Sequence, residues 1–341
     1  MKYFEAHSVY EFKDIDGNTP EILMVDGNRT GGKTTAFSRL CVDDFLKDNS
    51  EKFFLLYRYK NEMDNVATAF FKDIKGLFFE GHEMTSKSHA HGTYHELFLD
   101  GKSCGYCSAL TMASKIKRYS HIFSDVKKIF FDEYQDENNL YLPNEVKMFE
   151  SIHTTIARGQ GNAVRFVPVY MCSNSISIFN PYYTALRITG KINSKTKVYK
   201  GEGFVLLRLV IKDVAEAQKK SAFNRAFSGS SYSDSAIDNT FLNDDSFNVE
   251  KMQTSGPAVF NFIFNGVLYS VFRLGDLWYV KKGGDKTINP TFGVLQSDRG
   301  NGVKAFKNSS YYTFMRLYYE DACIYFETTE SKHAFMNLLF N

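Results

Sequence analysis

The feature that most constrains the fold is an apolar stretch, Ile22 to Val25, followed by a glycine-rich loop and a helix-compatible run. The loop follows the pattern G-x-x-x-x-G-K-T, and its residues are Gly27, Asn28, Arg29, Thr30, Gly31, Gly32, Lys33 and Thr34, with Thr35 next. Glycines allow backbone N–H groups to surround phosphate oxygens at a helix start, where the helix dipole favours negative charge. The lysine reaches the β- and γ-phosphates, and the threonine hydroxyl ligates Mg²⁺. The order strand, loop, helix therefore predicts an α/β domain that binds ATP and Mg²⁺.

An acidic pair supplies the second half of such a site. The apolar stretch 126–131 ends in Asp132 and Glu133, about a hundred residues after the loop. In an ATPase, the first acid at such a strand end holds Mg²⁺ and the second polarises the attacking water. We therefore assign Asp132 and Thr34 to Mg²⁺, and Glu133 and Lys33 to catalysis.

Composition sets the broad class. The chain has 341 residues, of which 43% are apolar and 16% aromatic, which is typical of a globular protein with a sizeable core. The net charge is +2, so nucleic-acid binding has to come from local basic patches. Five cysteines without disulfide-framework spacing favour a reducing compartment. No stretch has the composition of a signal peptide or the length of a transmembrane helix, which predicts a cytosolic protein without a membrane partner.

Polar residues follow two further apolar stretches. In parallel sheets, functional residues collect at the carboxyl ends of strands. Ser173 and Asn174 follow the stretch 164–172, which we expect beside the strand of the acidic pair. Asn174, and Ser173 as the lesser candidate, would report loss of the γ-phosphate. Arg58 follows the stretch 53–57; it either senses nucleotide or a neighbouring subunit, or is a solvated strand end.

Two basic sites lie outside the loop. The densest basic stretch, residues 111–128, includes Lys115, Lys117 and Arg118. It is either a grip on a phosphate backbone or a solvated loop. Arg158 ends a predicted helix. It is placed either as an arginine finger for the next subunit's γ-phosphate or as a cation favoured by the helix dipole.

Several local predictions complete the first two hundred residues. The N-terminal aromatic residues, among them Phe4, either pack on the adenine face or cap the sheet. Residues 61–80 are predicted as one amphipathic helix with an apolar face that includes Leu77 and Phe78. Pro168 argues for an edge or irregular position of its strand. The dipeptide Asp100-Gly101 predicts a hairpin turn.

The hairpin region carries one metal-like constellation. It consists of His82, His89, His91, His95, Cys104 and Cys107. Residues three apart point to opposite faces of a strand, and no second C-x-x-C partner exists. Zinc binding is therefore the less favoured interpretation, and an exposed histidine-rich hairpin is the more favoured one.

Taken together, the motifs resemble the DNA-packaging motor ATPases of small short-tailed double-stranded DNA phages, which are relatives of terminase large subunits. The matching segments are GNRTGGKT, LLYRYK, the DGK hairpin, IFFDEY, YLPNEV and SNSISIFNPYY, in this order over residues 22–183. YLPNEV and SN…NPYY are the family-specific parts. The resemblance implies Arg158 as a finger acting in trans, Asn174 in the coupling motif, and residues 115–118 facing a DNA pore.

The resemblance also implies a fold and an assembly. It implies a P-loop ATPase of the ASCE class, with a mostly parallel sheet and flanking helices. It further implies a homomeric ring, a pentamer, that moves double-stranded DNA into a prohead in the host cytoplasm. The ring would dock on a portal or on a structural RNA. The alternatives are another ASCE nucleic-acid translocase or helicase, and a nucleotide-regulated DNA-binding protein.

A Ser/Asp/Asn-rich stretch, residues 228–248, predicts a domain boundary. We expect the ATPase domain over residues 1–200, a linker or small helical subdomain over 201–249, and a smaller α+β domain over 250–341. In larger relatives the last domain is an RNase H-like nuclease with clustered carboxylates. Here Asn261 stands where an acid is expected, which predicts a degenerate nuclease fold and ATPase activity without nuclease activity.

Overall fold

The computed structural model describes residues 4–29, 31–137, 140–158, 164–189, 191–192, 195–209, 212–226, 248–300 and 303–340. The predicted loop residue Thr30 and nearly all of the predicted linker 228–248 lie outside these ranges. The chain divides into two compact units, Met1–Asn243 and Asp244–Asn341.

The first unit is built on a nine-stranded sheet with the order β3-β4-β5-β2-β6-β7-β1-β9-β8. Its strands are β1 (Ile22–Gly27), β2 (Lys52–Tyr57), β3 (Met84–His89), β4 (Tyr94–Leu99), β5 (Lys102–Ala109), β6 (Val126–Asp132), β7 (Val169–Asn174), β8 (Val198–Gly201) and β9 (Phe204–Leu209). The six strands from β5 to β9 in that order are parallel to each other, whereas β3, β4 and β8 are antiparallel additions. The predicted mostly parallel sheet is confirmed.

Helices cover both faces of this sheet. They are α1 (Lys33–Lys47), α2 (Lys60–Val66), α3 (Ala69–Phe78), α4 (Ala113–Ile116), α5 (Glu145–Ile156), α6 (Pro181–Ala185), α7 (Lys212–Lys220) and α8 (Ala222–Ala226). Neighbouring residues of β6 serve opposite faces: Phe130 packs on Phe37 of α1, and Phe131 packs on Phe149 of α5. Burial on both faces explains why the central strands are continuously apolar rather than alternating.

The second unit has a five-stranded sheet with the order β13-β10-β11-β12-β14. Its elements are β10 (Phe260–Phe264), β11 (Val267–Leu274), β12 (Leu277–Lys282), β13 (Thr291–Gly293), α9 (Tyr311–Glu320), β14 (Ile324–Phe326) and α10 (Thr329–Phe340). A core of its own joins the sheet to both helices, for example through Phe262 and Phe335. The smaller sheet with helices agrees with the predicted fold class. None of the described helices combines the length and the apolar character that a bilayer crossing requires.

The end of the first domain differs from the sequence-based boundary at residue 200. Strand β9 pairs in parallel with β1 over its full length, so it belongs to the main sheet. Helices α7 and α8 follow within the same unit. The first part of the predicted linker or small helical subdomain, residues 201–249, therefore lies in the first unit. The pairing of β9 with β1 joins residues far apart in the sequence and leaves no local sequence signal.

Two local predictions need correction. Pro168 predicted an edge or irregular position, and the edge alternative is wrong, because strand β7 is central, between β6 and β1. The strand begins at Val169, so the proline lies before the ladder, and its carbonyl accepts a hydrogen bond from the Ile129 N–H at 2.9 Å. The single helix predicted over 61–80 is two helices, α2 and α3. Leu77 and Phe78, at the end of α3, are 67% and 43% exposed and are not part of a buried face.

The predicted turn at Asp100-Gly101 is confirmed. Both residues have positive φ, 50° and 78°, and they join β4 to β5. Lys128, at the end of the basic stretch, lies on β6 rather than in a loop. Its buried ammonium pairs with Asp44 at 2.5 Å and with Glu51 at 2.9 Å, so it does not extend an exposed basic surface.

Candidate nucleotide site

The glycine-rich loop joins the end of β1 to the start of α1. Gly32 has φ 77° and caps α1, a left-handed conformation that glycine adopts without strain. At Gly27, a Cβ atom would lie 3.1 Å from the Leu209 carbonyl oxygen and 3.3 Å from Lys33 Cδ. The loop therefore needs glycine both to turn and to let the lysine side chain pass close to the backbone.

The Lys33 ammonium is buried within this loop. It donates hydrogen bonds to the carbonyl oxygens of Gly27 at 3.0 Å and Asn28 at 2.9 Å. It also contacts the Asn174 Oδ1 atom at 3.4 Å, which joins the loop to the tip of β7. Burial lowers the pKa of Lys33, because removal from water disfavours the charged form.

The acidic residue at the end of β6 lies next to the first turn of α1. The Thr34 hydroxyl donates to Asp132 Oδ1 at 3.1 Å. The same oxygen accepts from the Cys172 thiol at 2.9 Å and from the Glu133 N–H at 3.0 Å. Burial raises the pKa of the Asp132 carboxyl. A hydroxyl and a carboxylate oxygen side by side are the hard oxygen ligands that Mg²⁺ prefers, so this pair fits the ion.

Glu133 has a strained backbone. Its φ of 52° is rare for a residue with a side chain, and such strain concentrates at functional sites. Its side chain lines the same cavity as Lys33 and Thr34. Burial, and next the neighbouring Asp132 carboxylate, raise the pKa of Glu133. A carboxylate beside the cavity with a raised pKa is suited to accept a proton from water.

These side chains surround one cavity of about 850 Å³. The predicted residues that line it are Arg29, Gly31, Gly32, Lys33, Thr34, Thr35, Asp132, Glu133, Ser173 and Asn174. Three segments that are far apart in the sequence thus converge: the loop, the end of β6 and the end of β7. An anion with several phosphate oxygens and a divalent cation suits this combination of backbone N–H groups, ammonium and carboxylates.

A profile of the family described as "Podovirus DNA encapsidation protein (Gp16)" matches residues 9–334 of the chain. This chain belongs to that family. A DNA packaging protein of Bacillus phage B103 is 28% identical over 290 residues, which cover 84% of this chain and 85% of the relative.

Two solved structures share the fold of this family member over nearly its whole length. One is the bacteriophage Phi-29 viral genome packaging motor assembly, with TM-score 0.67, 20% identity, and coverage of 98% of this chain and 99% of that chain. The other is the Phi-28 gp11 DNA packaging motor, with TM-score 0.64, 16% identity, and coverage of 99% and 98%.

The cavity of this encapsidation-family protein has further lining residues, which are Phe4, Glu5, Ala36, Arg39, Leu77 and Phe78. Phe4 is one of the N-terminal aromatic residues for which the sequence allows either packing on the adenine face or capping of the sheet. The sequence does not point to the other five. The sequence pattern does not mark Leu77 and Phe78 as cavity residues, because their spacing continues the buried face of the preceding helix turns.

Arg58 is placed elsewhere. Its guanidinium is buried and bonds through Nε to both carboxylate oxygens of Glu145, each at 3.2 Å. Its Nη2 donates to the Tyr134 carbonyl at 2.8 Å. The structure does not bring Arg58 to the cavity; it connects the end of β2 to the start of α5. Glu145 belongs to the YLPNEV segment, so this family-specific motif carries a structural ion pair.

A second buried network lies directly before the loop. The Asp26 carboxylate accepts hydrogen bonds from Tyr134 Oη at 2.6 Å, from Gln135 Nε2 at 3.0 Å, and from the Tyr183 hydroxyl. The Gln135 Oε1 atom accepts from the backbone N–H groups of Ile176 and Ser177 at 3.1 and 3.2 Å. Gln135 thereby ties the start of the phosphate loop to the segment after β7. The sequence shows that Asp26 lies at the end of an apolar stretch, but it does not show which side chains donate hydrogen bonds to Asp26.

The remaining predicted site residues lie outside the cavity. The Arg158 side chain is exposed, and the Arg158 backbone forms an isolated antiparallel β-bridge with Val164. Lys115, Lys117 and Arg118 are exposed on α4 and on the 3-10 turn that follows it. Exposure leaves all four available to a partner, and their roles stay predictions.

The metal-like residues of the hairpin are not gathered around a common point. Cys104 and Cys107 are buried on β5, and His82 pairs with Asp100 at 2.6 Å. Within the described part of the chain, no three His, Cys, Asp or Glu side chains form a group able to hold a metal ion.

In the second unit, the Asn261 side chain accepts a hydrogen bond from Ser270 Oγ at 2.6 Å and donates one to the Asp285 carbonyl at 2.7 Å.

Proposed function

We propose that this protein hydrolyses ATP and uses the energy to move double-stranded DNA into a viral prohead. The observation that carries the proposal is the convergence of Lys33 and Thr34 on α1 with Asp132 and Glu133 at the end of β6 in one cavity. Family membership and the relatives called DNA packaging protein supply the biological process.

The proposed chemistry assigns one task to each group. The loop backbone and Lys33 hold the β- and γ-phosphates, and Thr34 and Asp132 hold Mg²⁺, which neutralises the phosphate charge. Glu133 orients and deprotonates the attacking water. Asn174 would respond when the γ-phosphate leaves; the contact of its side chain with the Lys33 ammonium supports this role.

The proposed assembly is a homomeric ring, a pentamer, in the host cytoplasm, attached to the prohead through a portal or a structural RNA. Arg158 would reach the γ-phosphate of the adjacent subunit, and Lys115, Lys117 and Arg118 would contact the DNA backbone. The second unit would be a degenerate RNase H-like domain without nuclease activity. Support comes from the exposure of these basic side chains and from the solved motor assemblies that share the fold.

The proposal is tested with the full chain. We expect Lys33→Ala to abolish ATP binding, and Glu133→Gln to bind ATP while reducing hydrolysis by two or more orders of magnitude. Hydrolysis by the unaltered protein should increase when double-stranded DNA is added. Intact ATP binding without DNA-stimulated hydrolysis would instead support a regulatory nucleotide site, and strand separation without proheads would support a helicase.

A mixing experiment tests the role of Arg158. Arg158→Ala alone should lose hydrolysis but bind ATP. Mixed with Lys33→Ala protein, it should regain part of the activity, because an intact arginine from one subunit can serve the intact phosphate loop of the other. Absence of any recovery over a range of mixing ratios would count against a finger that acts in trans.

A further inference from the structure

We infer that the nucleobase is held by stacking in the part of the cavity lined by Phe4, Arg39, Leu77 and Phe78, here named the base site. This inference rests on the proposed function, because it places the base of the same nucleotide whose phosphates the loop holds. It also predicts how the protein selects among nucleotides.

The first observation is the exposure of two large apolar side chains at the end of α3. Leu77 is 67% exposed and Phe78 43% exposed, whereas Phe71 and Ile74 of the same helix are buried. Both exposed residues line the cavity that also contains Lys33. Apolar and aromatic side chains beside a few convergent polar groups are characteristic of a small-molecule site. Leu77 and Phe78 supply the apolar part of this cavity.

The second observation is a preformed stack between Arg39 of α1 and Phe78 of α3. The Arg39 guanidinium lies over the Phe78 ring at 4.4 Å from its centroid. Arg39 Nε also bonds to Asp43 at 3.1 Å, which restrains the side chain. Arg39 follows Lys33 by six residues, which is roughly 9 Å along a helix axis. The Arg39 side of the stack therefore lies about two helical turns from the end of α1 that holds Lys33.

The third observation is the position of the N-terminal segment. The Phe4 N–H donates to the Gly31 carbonyl of the phosphate loop at 3.3 Å, and the Phe4 ring packs on Phe37 of α1 at 5.5 Å. Phe4 thus contributes a second aromatic wall that is attached to the loop itself. The neighbouring Glu5 carboxylate is held by His7, through Nδ1 at 2.9 Å and the backbone N–H at 3.2 Å.

A site built from rings, a guanidinium plane and an aliphatic side chain recognises the face of a base. Stacking of this kind tolerates different bases, because every base has a π-face. We therefore expect selectivity by stacking area: ATP and GTP should bind with similar affinity, and both should bind more tightly than UTP.

The test compares ATP with inorganic tripolyphosphate, which has the phosphates without the base. Binding of each, with Mg²⁺, is measured by titration calorimetry on the full chain. Phe78→Ala should weaken ATP binding about tenfold or more, the usual scale for loss of a base–aromatic stack. Tripolyphosphate binding should stay within twofold, and Phe78→Tyr should restore ATP binding. Phe223→Ala, which removes an aromatic residue exposed by 70% outside the cavity, is the matched control and should change neither affinity.

The outcomes separate the two proposals. If Phe78→Ala leaves ATP affinity unchanged, or weakens tripolyphosphate as much as ATP, the base site is overturned while the phosphate site stands. If UTP binds as tightly as ATP to the unaltered protein, stacking selectivity is overturned. If the unaltered protein binds neither ATP nor tripolyphosphate, the proposed function itself is overturned.

Discussion

The buried ion pair between Arg58 and Glu145 gives the most decisive test of how this fold is held together. Both side chains are almost fully removed from water. The Glu145 carboxylate also accepts from the Leu142 N–H at 2.8 Å and from Tyr182 Oη at 2.9 Å. Burial alone lowers the pKa of Arg58, but the Glu145 carboxylate together with Tyr182 and Tyr141 outweighs burial, and the pKa is raised. The arginine therefore stays charged and needs its partner.

The expected magnitude follows from removing one member only. Glu145→Leu leaves a buried guanidinium without its counter-charge, and such a change costs about 3–5 kcal/mol of unfolding free energy. For a unit of this size, each kcal/mol shifts the melting temperature by about 2–4 °C, so we expect a decrease of roughly 6–20 °C. The double variant Arg58→Met with Glu145→Leu replaces the pair by apolar groups and should recover most of that loss.

The assay is thermal and urea unfolding of both single variants and the double variant, arranged as a double-mutant cycle. The coupling free energy should be at least about 2 kcal/mol, well above the additivity expected for independent sites. Lys147→Met, which alters an exposed cation on the same helix, is the matched control and should stay within about 0.5 kcal/mol.

Two results would refute this reasoning. Single variants that melt within a degree or two of the unaltered protein would mean that the pair carries no stability. A double variant that is fully stable but has lost ATP hydrolysis would mean that Arg58 acts on the nucleotide, as the sequence alone had allowed.

Three further predictions concern the first unit. The proposed role of Glu133 requires the deprotonated carboxylate, and its pKa is raised, so hydrolysis should be lost as the pH falls through that raised pKa, above the pH 4.5 typical of a glutamate; a rate–pH profile at saturating ATP checks this. Gly105→Ala would place a Cβ 2.1 Å from a carbonyl oxygen of β2, so it should destabilise by about 2 kcal/mol or more, whereas Gly76→Ala has open space on a helix and should stabilise slightly; urea midpoints decide. Gln135→Glu would set a second buried carboxyl group against Asp26, so its loss of stability should increase as the pH rises above the ordinary glutamate pKa of about 4.3, and a loss that does not change with pH would contradict the network.

The phosphate loop and the acidic pair could be predicted because each is a local pattern with fixed chemistry. A strand, a glycine loop and a lysine specify where a helix begins, and parallel strand ends have to meet at one edge of the sheet. The pairing of Thr34 with Asp132 follows from these two rules. The Asp100-Gly101 turn was predictable for the same reason, since its backbone conformation depends on two adjacent residues.

Other features depend on tertiary contacts that no local pattern encodes. Arg58 stands at a strand end like a ligand-binding residue, and only the packing of α5 against β2 converts it into half of a buried pair. Leu77 and Phe78 continue an apolar helical period, yet α3 ends where the cavity opens. Pro168 suggested an edge because the residue at which the strand starts cannot be read from composition.

The two edges of the nine-stranded sheet in the described chain have a consequence for how copies of this protein meet. Edge strand β3 is polar and carries Lys87 with its neighbours exposed, and edge strand β8 is only four residues long and carries Lys200. Short or lysine-bearing edges disfavour backbone pairing between separate sheets. These edges therefore disfavour the joining of sheets from separate copies into one continuous sheet, even at high protein concentration.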